Sequence, residues 1–358
     1  MKNKKSLLNS FNEKIPAAIR KSNFVSKSKL MVLIPACLLL IASIFILCFG
    51  FNLSFDLQNH TTFNVEFNTT LSTKDYSKYE ESIANILEDN KICDYEFKRL
   101  NEGTSNKLLV KFLNKDLSSS QVEEKFDAIS LEIENLTINE NATMEVGDYT
   151  TEVGNITKYI SNLAIFLSIA IVLIFAYAWI RFDLYTALSG AIMMLTNIAV
   201  LTSIYAICRL PIDTNVTYNY IFVTVLSLIF FTYMSDRKRH DLTSDETKNL
   251  PNSEIVYNTL QKSLPSMLLI IEPVFVATLV LFIVLICLGS NLAFTMLGFV
   301  VCILISLYSS IFMANNFWSL IYNRKNDKRL QYRIDRIRKK EQQAEVKQTA
   351  EEKEKIIV

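Results

Sequence analysis

One carboxylate lies inside the apolar part of this sequence. Glu272, in the stretch Ile-Ile-Glu-Pro-Val, is the only Asp, Glu, His, Lys or Arg in the apolar run Leu264–Leu288. A charge at membrane depth is costly, so such a residue is a candidate for proton binding, and Pro273 would open the helix beside it. The alternative is a structural Glu that is protonated or hydrogen-bonded to a neighbouring helix. Glu272 is therefore our candidate intramembrane proton site, with both interpretations open.

The run around Glu272 is one of six apolar blocks that are long enough to cross a bilayer. The central block, Val216–Met234, has nineteen residues and no charge. As a helix it would extend roughly 29 Å, close to the thickness of the hydrocarbon core. The other spans are predicted over Leu30–Phe51, Ile160–Ile180, Leu184–Cys208, Leu264–Leu288 and Leu292–Tyr322. The chain is thus predicted to be an α-helical polytopic membrane protein, with a five-helix block over 159–322.

Basic residues set the predicted orientation of these spans. Arg181 and the segments 1–29, 235–262 and 323–358 hold twenty-six Lys and Arg residues, whereas the two short loops on the opposite side hold only Arg209. Short loops rich in Lys and Arg remain in the cytoplasm. Both termini and the inner loop 235–262 are therefore predicted to be cytoplasmic. The first span, 30–51, is longer than the core of a signal peptide and is predicted to be an uncleaved anchor.

The one large polar region, 52–158, is predicted to be a small domain outside the cytoplasm, between helices 1 and 2. Its alternating and helical apolar patterns predict strands over Thr62–Phe67, Ile92–Leu100, Lys107–Leu113 and Ala142–Val146, and helices over Tyr76–Glu88 and Ser118–Asn135. A turn-rich link, Asn101–Asn106, is expected between the second and third strands. The order β-α-β-β-α-β is that of a ferredoxin-like α+β fold.

No pattern in the chain indicates soluble catalysis. His60 and His240 fall on opposite sides of the predicted membrane and cannot share a metal ion. Five of the six cysteines lie in apolar blocks, which leaves Cys93 without a disulfide partner in the polar region. Phosphate-binding loops and nucleophile elbows are absent from the sequence. We predict no enzymatic activity, no cofactor, no metal and no DNA binding.

The two basic terminal segments each allow two interpretations. The leader 1–29 could form a short amphipathic helix on an anionic membrane face over 7–18, or it could be a solvated segment that fixes orientation. The tail 323–358 carries twelve Lys and Arg residues. It could be a solvated helix, or its basic half could contact anionic lipids or the ribosome through phosphate electrostatics.

Several short motifs resemble those of one membrane-protein family. They are Asp56-Leu57-Gln58-Asn59-His60-Thr61 after the first span, Ile180-Arg181-Phe182 after the second, Asp213 followed twenty-three residues on by Asp236-Arg237, and Tyr308-Ser309-Ser310-Ile311-Phe312 in the sixth span. With the layout of one span, an outer domain and five further spans, they resemble SecF, the smaller half of the SecDF protein that assists Sec-dependent export. The corresponding family motifs are Asp-Phe-Thr-Gly-Gly-Thr, Phe-Arg-Phe, an outer Asp with a cytoplasmic Asp-Arg pair, and Tyr-Ser-Ser-Ile-Phe. The resemblance covers roughly Phe49–Leu320 and gives the family-motif positions Asp56, Thr61, Arg181, Asp213, Asp236, Arg237, Tyr308, Ser309 and Ser310.

The departures from the SecF pattern fall at the positions that carry its proton chemistry. The family's intramembrane acids and base correspond to Thr196-Asn197, to Ser227-Leu228-Ile229-Phe230 and to the neighbourhood of Met267–Leu269, none of which is charged. An Asp and an Arg facing each other inside a bundle are interpreted as a proton relay, and this chain lacks both. The relay cannot be carried over, and the structural interpretation of Glu272 is favoured. Asn197 could instead hydrogen-bond across helices.

A second departure lies after the first span, where the family's double glycine becomes Asn59-His60. This puts in doubt the tight backbone turn that glycine permits. On the opposite face, Asp236-Arg237 is expected to anchor the fourth span at the inner surface.

The resemblance implies a SecF-like accessory subunit of the Sec translocase in the cell membrane. Its implied partners are a SecD-like subunit, a channel similar to SecY, SecE and SecG, and the translocating polypeptide. Proton coupling in this chain is doubtful on the residues above. The alternatives are a membrane scaffold or interaction protein that keeps the fold without translocation activity, and a related proton-driven exporter.

Overall fold

The computed structural model describes residues 28–68, 73–102, 105–114, 119–136, 143–244, 250–288, 290, 292–322, 332 and 335–336. The predictions for the basic leader and for the tail fall almost entirely outside these residues. The chain divides into two compact units, an α+β domain that includes Asn52–Ala164 and Pro211–Thr214, and a helical bundle that contains Ile165–Leu210 and the described residues from Asn215 onward. Residues 28–51 also belong to the bundle.

Six helical segments of the described chain are long and apolar enough to span a membrane, which confirms the predicted polytopic fold class. The first span is α1, and the five that follow the α+β domain are α4, α5, α6, α7 and the combination of α8 with α9. Their bounds are α1 Ser28–Phe49, α4 Ile156–Arg181, α5 Leu184–Ile207, α6 Val216–Thr243, α7 Asn252–Cys287, α8 Leu292–Tyr308 and α9 Asn315–Ile321, with a π-helical turn, Ser309–Ala314, between the last two.

The region predicted as an inner loop, 235–262, is mostly helical. Helix α6 continues through the basic cluster to Thr243, and α7 already begins at Asn252. Lys238 and Asp241 on this extension are almost completely buried. The helices therefore continue past the apolar runs because polar side chains there have packing partners within the bundle.

The bundle packs around α5, α6 and α8, whose facing sides are buried. Close approach of α5 to α6 requires Gly190, because a Cβ atom there would lie 2.7 Å from Cζ of Phe231. Helix α1 packs against α5 and ends in a left-handed glycine, Gly50, with φ of +64°. The Arg209 guanidinium donates hydrogen bonds to the carbonyls of Phe49, at 3.0 Å, and Gly50, at 2.6 Å. These are carbonyls at a helix C-terminus that lack helical partners, so Arg209 fixes the end of α1.

The α+β unit has the ferredoxin-like topology predicted from its sequence. Its sheet order is β2-β3-β1-β4, and every pair is antiparallel. Two helices cover one face and bury aromatic and aliphatic side chains such as Phe63, Tyr79 and Phe112. The elements are β1 His60–Phe67, α2 Thr73–Asp89, β2 Tyr95–Glu102, β3 Ser105–Leu113, α3 Ser119–Glu134 and β4 Met144–Val146.

Two details of this unit differ from the sequence expectation. The expected link 101–106 is mostly strand, since β2 and β3 remain paired as far as Glu102 and Ser105. A fifth strand, β5 Thr150–Glu152, pairs with the start of β1. It is short and its three residues are polar and exposed, so it has no hydrophobic periodicity by which sequence analysis could detect it.

A neutral polar seam as the candidate functional site

A row of buried polar side chains runs through the middle of the bundle, between α5, α6 and α8. We call it the polar seam and define it by Tyr205, Asn219, Asn197, Ser227 and Ser306, all of which are at most 2% exposed. Polar groups inside a membrane protein are costly unless they are hydrogen-bonded, and hydrogen bonds between helices help to fix their packing. Hydrophobicity therefore does not explain the residues of the seam.

The centre of the polar seam is a chain of donors and acceptors that links three helices. The Asn197 amide donates to Oγ of Ser227 at 2.7 Å, and Ser227 donates to Oγ of Ser306 at 3.0 Å. Ser306 in turn donates to the backbone carbonyl of Val223 at 3.3 Å. The cross-helix hydrogen bond expected for Asn197 is thus present, and its acceptor is Ser227.

The second part of the seam lies nearer the Arg209 end of the bundle. The Asn219 side-chain amide donates to the Tyr205 hydroxyl. The Cys302 thiol donates to the backbone carbonyl of Asn219 at 3.3 Å. Gly298 on α8 makes this arrangement possible, because a Cβ atom there would lie 2.1 Å from Nδ2 of Asn219 and 2.6 Å from the Tyr205 hydroxyl. Asn219 and Gly298 are thus matched across the helix interface.

The Tyr-Ser-Ser-Ile-Phe motif of the sixth span forms the start of the π-helical turn. Ser309 donates to the Ser306 carbonyl at 3.2 Å, and Ser310 contacts the Met193 sulfur on α5 at 3.7 Å. The Asn315 amide donates to the carbonyls of Ser310 and Ile311, each at 3.0 Å. A π-helical turn leaves local backbone groups without standard helical partners. The Asn315 amide supplies hydrogen-bond donors to two carbonyls of this turn.

No side chain of the polar seam is an Asp, Glu, His, Lys or Arg. Asn and Ser side chains neither gain nor lose a proton near neutral pH, and Tyr and Cys are ordinarily protonated there. The arrangement can order three helices and hold them in register. It contains no carboxylate or base that would change charge as protons cross a membrane.

Glu272 does not join the polar seam. It is exposed on α7, where the neighbouring Ile271 faces the bundle core instead. Helix α7 continues unbroken through Pro273. The structure therefore separates the Glu272 carboxylate from the side chains of the polar seam.

The opposite end of the bundle, which we call the Arg181 end, carries charged contacts. Arg181 donates to Asp236 at 2.5 Å and to the Tyr177 hydroxyl at 2.6 Å. The Asp236 of the Asp-Arg motif thus ties α6 to the end of α4, while Arg237 is exposed. The anchoring role predicted for Asp236 and Arg237 stays a prediction, since it depends on where the membrane surface lies.

Two further charges at the Arg181 end are buried. Asp241 accepts from Lys262 at 3.1 Å and from Thr259 at 2.9 Å, which joins α6 to α7. The Lys238 ammonium lies 4.7 Å from the centre of the Trp318 ring, within the range of a cation–π contact. Among the described residues it has no hydrogen-bond acceptor.

Two further motif positions, Asp56 and Thr61, belong to the α+β unit and have contacts within it. Asp56 forms an ion pair with Lys111 at 3.0 Å, and Thr61 accepts from the Asn114 amide at 3.2 Å. Asn59 and His60 are not in the left-handed region, so the loss of two glycines causes no backbone strain. His60 starts β1.

Asp213 lies in the short connection between α5 and α6. Its backbone carbonyl accepts a hydrogen bond from Tyr159 at 3.3 Å. The family-motif positions are therefore divided between the two units.

Sequence analysis missed several residues that build the seam and the Arg181 end. Tyr205, Asn219 and Asn315 were available as polar residues inside apolar runs, which is a usable signal. Lys238 and Asp241 could not be identified in this way, because each lies in a charged cluster that the sequence alone predicts to be exposed to solvent.

Comparison with known proteins identifies one matching family and similar solved structures. Residues 137–324, just over half of the 358-residue chain, match the family described as protein export membrane protein SecD/SecF, C-terminal. The crystal structure of SecDF in a super-membrane-facing form is similar, with a TM-score of 0.62 and 19% identity over 86% of this chain and 40% of that one. SecDF from Thermus thermophilus, a translocon-associated membrane protein, matches with a TM-score of 0.50 and 19% identity over 82% of this chain and 38% of that one.

No curated protein sequence matches the chain. The chain spans about two fifths of the length of each SecDF structure. Because the family match covers more than half of the sequence, the chain belongs to the SecD/SecF family of protein-export membrane proteins.

Proposed function

We propose that this chain is a SecF-like accessory subunit of the Sec translocase, which assists the export of polypeptides across the cell membrane. The observation that carries the proposal is the likeness to SecDF across 86% of the chain, with only 40% of SecDF accounted for. In this proposal the chain pairs with a SecD-like subunit, as the resemblance to SecF implies. The α+β domain would lie outside the cytoplasm and contact the emerging polypeptide.

The same proposal sets the membrane topology and the partners. The distribution of Lys and Arg supports cytoplasmic termini. The channel itself would be formed by subunits similar to SecY, SecE and SecG, with this chain beside it. The function is one of assisting translocation, so it requires no enzymatic step in this chain. The lipid and ribosome contacts considered for the tail have no support, and we do not propose them.

We further propose that this chain does not itself provide the proton-binding pair. The support is the polar seam, where Asn197 and Ser227 are joined by a neutral hydrogen bond. Any force derived from protons would then have to come from the SecD-like partner or involve Glu272.

The first experiment combines purification with an export assay. The tagged chain, extracted from its own membranes in mild detergent, should bring a SecD-like subunit in near-equal amount, as judged by mass spectrometry. Depletion of the chain should slow export of a secreted precursor. An unrelated tagged multi-pass protein controls for non-specific recovery. Normal export after depletion, together with no SecD-like subunit in the eluate, would overturn the proposal.

A pair of variants tests whether the outer domain takes part. Val65 is fully buried in β1, so Val65→Asp places a charge in an apolar core and should unfold the domain. Glu145 on β4 is exposed, so Glu145→Gln is a matched control. We expect Val65→Asp to abolish rescue of export and Glu145→Gln to preserve it. Full rescue by Val65→Asp would mean that the domain is dispensable.

The second candidate function is a membrane scaffold that keeps this fold without translocation activity. The neutral polar seam favours it, because it orders helices without a group that could couple to protons. Recovery of a membrane partner combined with unchanged export on depletion would support the scaffold over the translocase subunit.

A further inference from the structure

Glu272 lies deep within the apolar part of α7. It is eight residues from Leu264 and sixteen from Leu288 along the helix, or about 12 Å and 24 Å at the helical rise. Both distances leave it inside a hydrocarbon core of about 30 Å. It is nonetheless exposed, and its neighbours on the helix surface are apolar. This chain alone would therefore present the carboxylate to lipid tails.

Nothing within the described part of the chain compensates this carboxylate. Glu272 makes no hydrogen bond or ion pair there, in contrast to Asp241 on the facing helix. A carboxylate in an apolar environment is costly unless a donor or a cation meets it. The missing partner must come from outside the bundle, or the group must be neutral.

Glu272 lies on a stripe of exposed residues along the α7 surface. Leu269, Glu272, Val276, Leu279 and Ile283 alternate at intervals of three and four residues, and all five are exposed. Met267 and Ile271 face the core of the bundle instead. Three-four spacing is the pattern along which two helices pack side by side. We call these five residues the Glu272 stripe.

We propose that a transmembrane helix of a second, different membrane subunit packs along the Glu272 stripe and presents a Lys or Arg side chain to Glu272. A single polar group on an otherwise apolar helix seam fixes the register of the pair. The inference deepens the proposed function and rests on its premise that the chain works as one subunit of a pair.

Charge complementarity favours a different chain over a second copy of this one. A symmetric pair would bring two Glu272 carboxylates together. None of the six apolar runs contains a Lys or an Arg, and the nearest one on α7 itself is Lys262, ten residues from Glu272. A second copy thus offers no cation at the depth of Glu272.

Site-specific photo-crosslinking in native membranes tests the surface. A benzophenone amino acid is placed at Val276 or at Leu279 in the full chain. The matched control is Leu281, which is exposed on the same helix at the same depth but about half a turn away from the stripe. We expect crosslinks to one other polypeptide from Val276 and Leu279 and none from Leu281, with mass spectrometry identifying the partner.

The outcomes separate this inference from the proposed function. If a SecD-like chain co-purifies but the stripe positions crosslink only to lipid or to a second copy, the inference fails and the proposed function stands. If the stripe crosslinks to an unrelated membrane protein, the inference stands and the proposed function fails. Absence of any partner refutes both.

The charge at position 272 is tested separately. Glu272→Leu should weaken retention of the partner at least about tenfold, since it leaves the opposing cation buried and unpaired. Leu281→Gln, which adds a polar group off the stripe, should leave retention unchanged. Glu272→Arg should also release the partner, and reversal of the crosslinked partner's cation to Glu should restore binding. Wild-type retention by Glu272→Leu would mean that the carboxylate has no charged partner.

Discussion

The contact between Gly298 and Asn219 gives the sharpest quantitative prediction for the bundle. A Cβ atom at position 298 would lie 2.1 Å from the Asn219 Nδ2 atom, far inside van der Waals contact, and Asn219 is completely buried. Gly298→Ala must therefore displace the Asn219 side chain and break its hydrogen bond to Tyr205. Overpacking costs about 1–3 kcal/mol, and an interhelical hydrogen bond is worth about 0.6 kcal/mol. We expect a loss of about 2–4 kcal/mol in the free energy of unfolding.

The measurement is unfolding by sodium dodecyl sulfate in mixed micelles. Trp318 is buried and Trp179 is exposed, and they are the only two tryptophans, so Trp318 fluorescence in a Trp179→Phe background reports on the bundle. The control background is the double variant Asn219→Ala/Tyr205→Phe, because it removes both the side-chain amide and the hydroxyl that a new methyl group would meet. In that background Gly298→Ala should cost less than about 1 kcal/mol. If Gly298→Ala costs as much in the double variant as in the parent chain, the proposed steric match is refuted.

Three further substitutions test the Arg181 end and the π-helical turn by the same titration. Lys238→Met should leave the unfolding free energy unchanged or raise it by about 1 kcal/mol, because Met keeps the apolar stem and removes an ammonium without a hydrogen-bond acceptor; a loss above about 2 kcal/mol would contradict this. Asn315→Leu should lower it by about 1–3 kcal/mol through two lost hydrogen bonds to carbonyls, and an unchanged value would show that the turn does not need the amide. Arg181→Gln and Asp236→Asn should each change stability little and equally, because their pair is exposed. A large, salt-insensitive effect of either would contradict that expectation.

The α+β domain could be predicted from sequence because its signals are local. Phe63, Val65 and Phe67 alternate within β1, and apolar residues recur at helical spacing in α2. In each element the spacing of the apolar residues therefore predicts which face is buried. The strand order followed from a known supersecondary pattern. The expected link between β2 and β3 was too long, since hairpin pairing extends into polar residues whose hydrogen bonds are made by the backbone.

The six spans were also predictable, because a membrane helix requires only a long apolar run. The ends of α6 and α7 were not. The charged cluster after Met234 predicted a solvated loop, whereas Lys238 packs on Trp318 and Asp241 binds Lys262. The helices continue because these charged residues contact partners that are distant in the chain. A hydropathy profile contains no information about such contacts.

Residue identity and order were enough to predict a polytopic membrane protein with SecF-like motifs, because apolar runs and short motifs do not depend on packing. Only the folded structure shows that Asn197 donates to Ser227 in the polar seam, whereas Glu272 is exposed on α7. Rotation of each helix about its axis is set by the packing of its neighbours, since in a span that is apolar all round the sequence does not mark which face is buried.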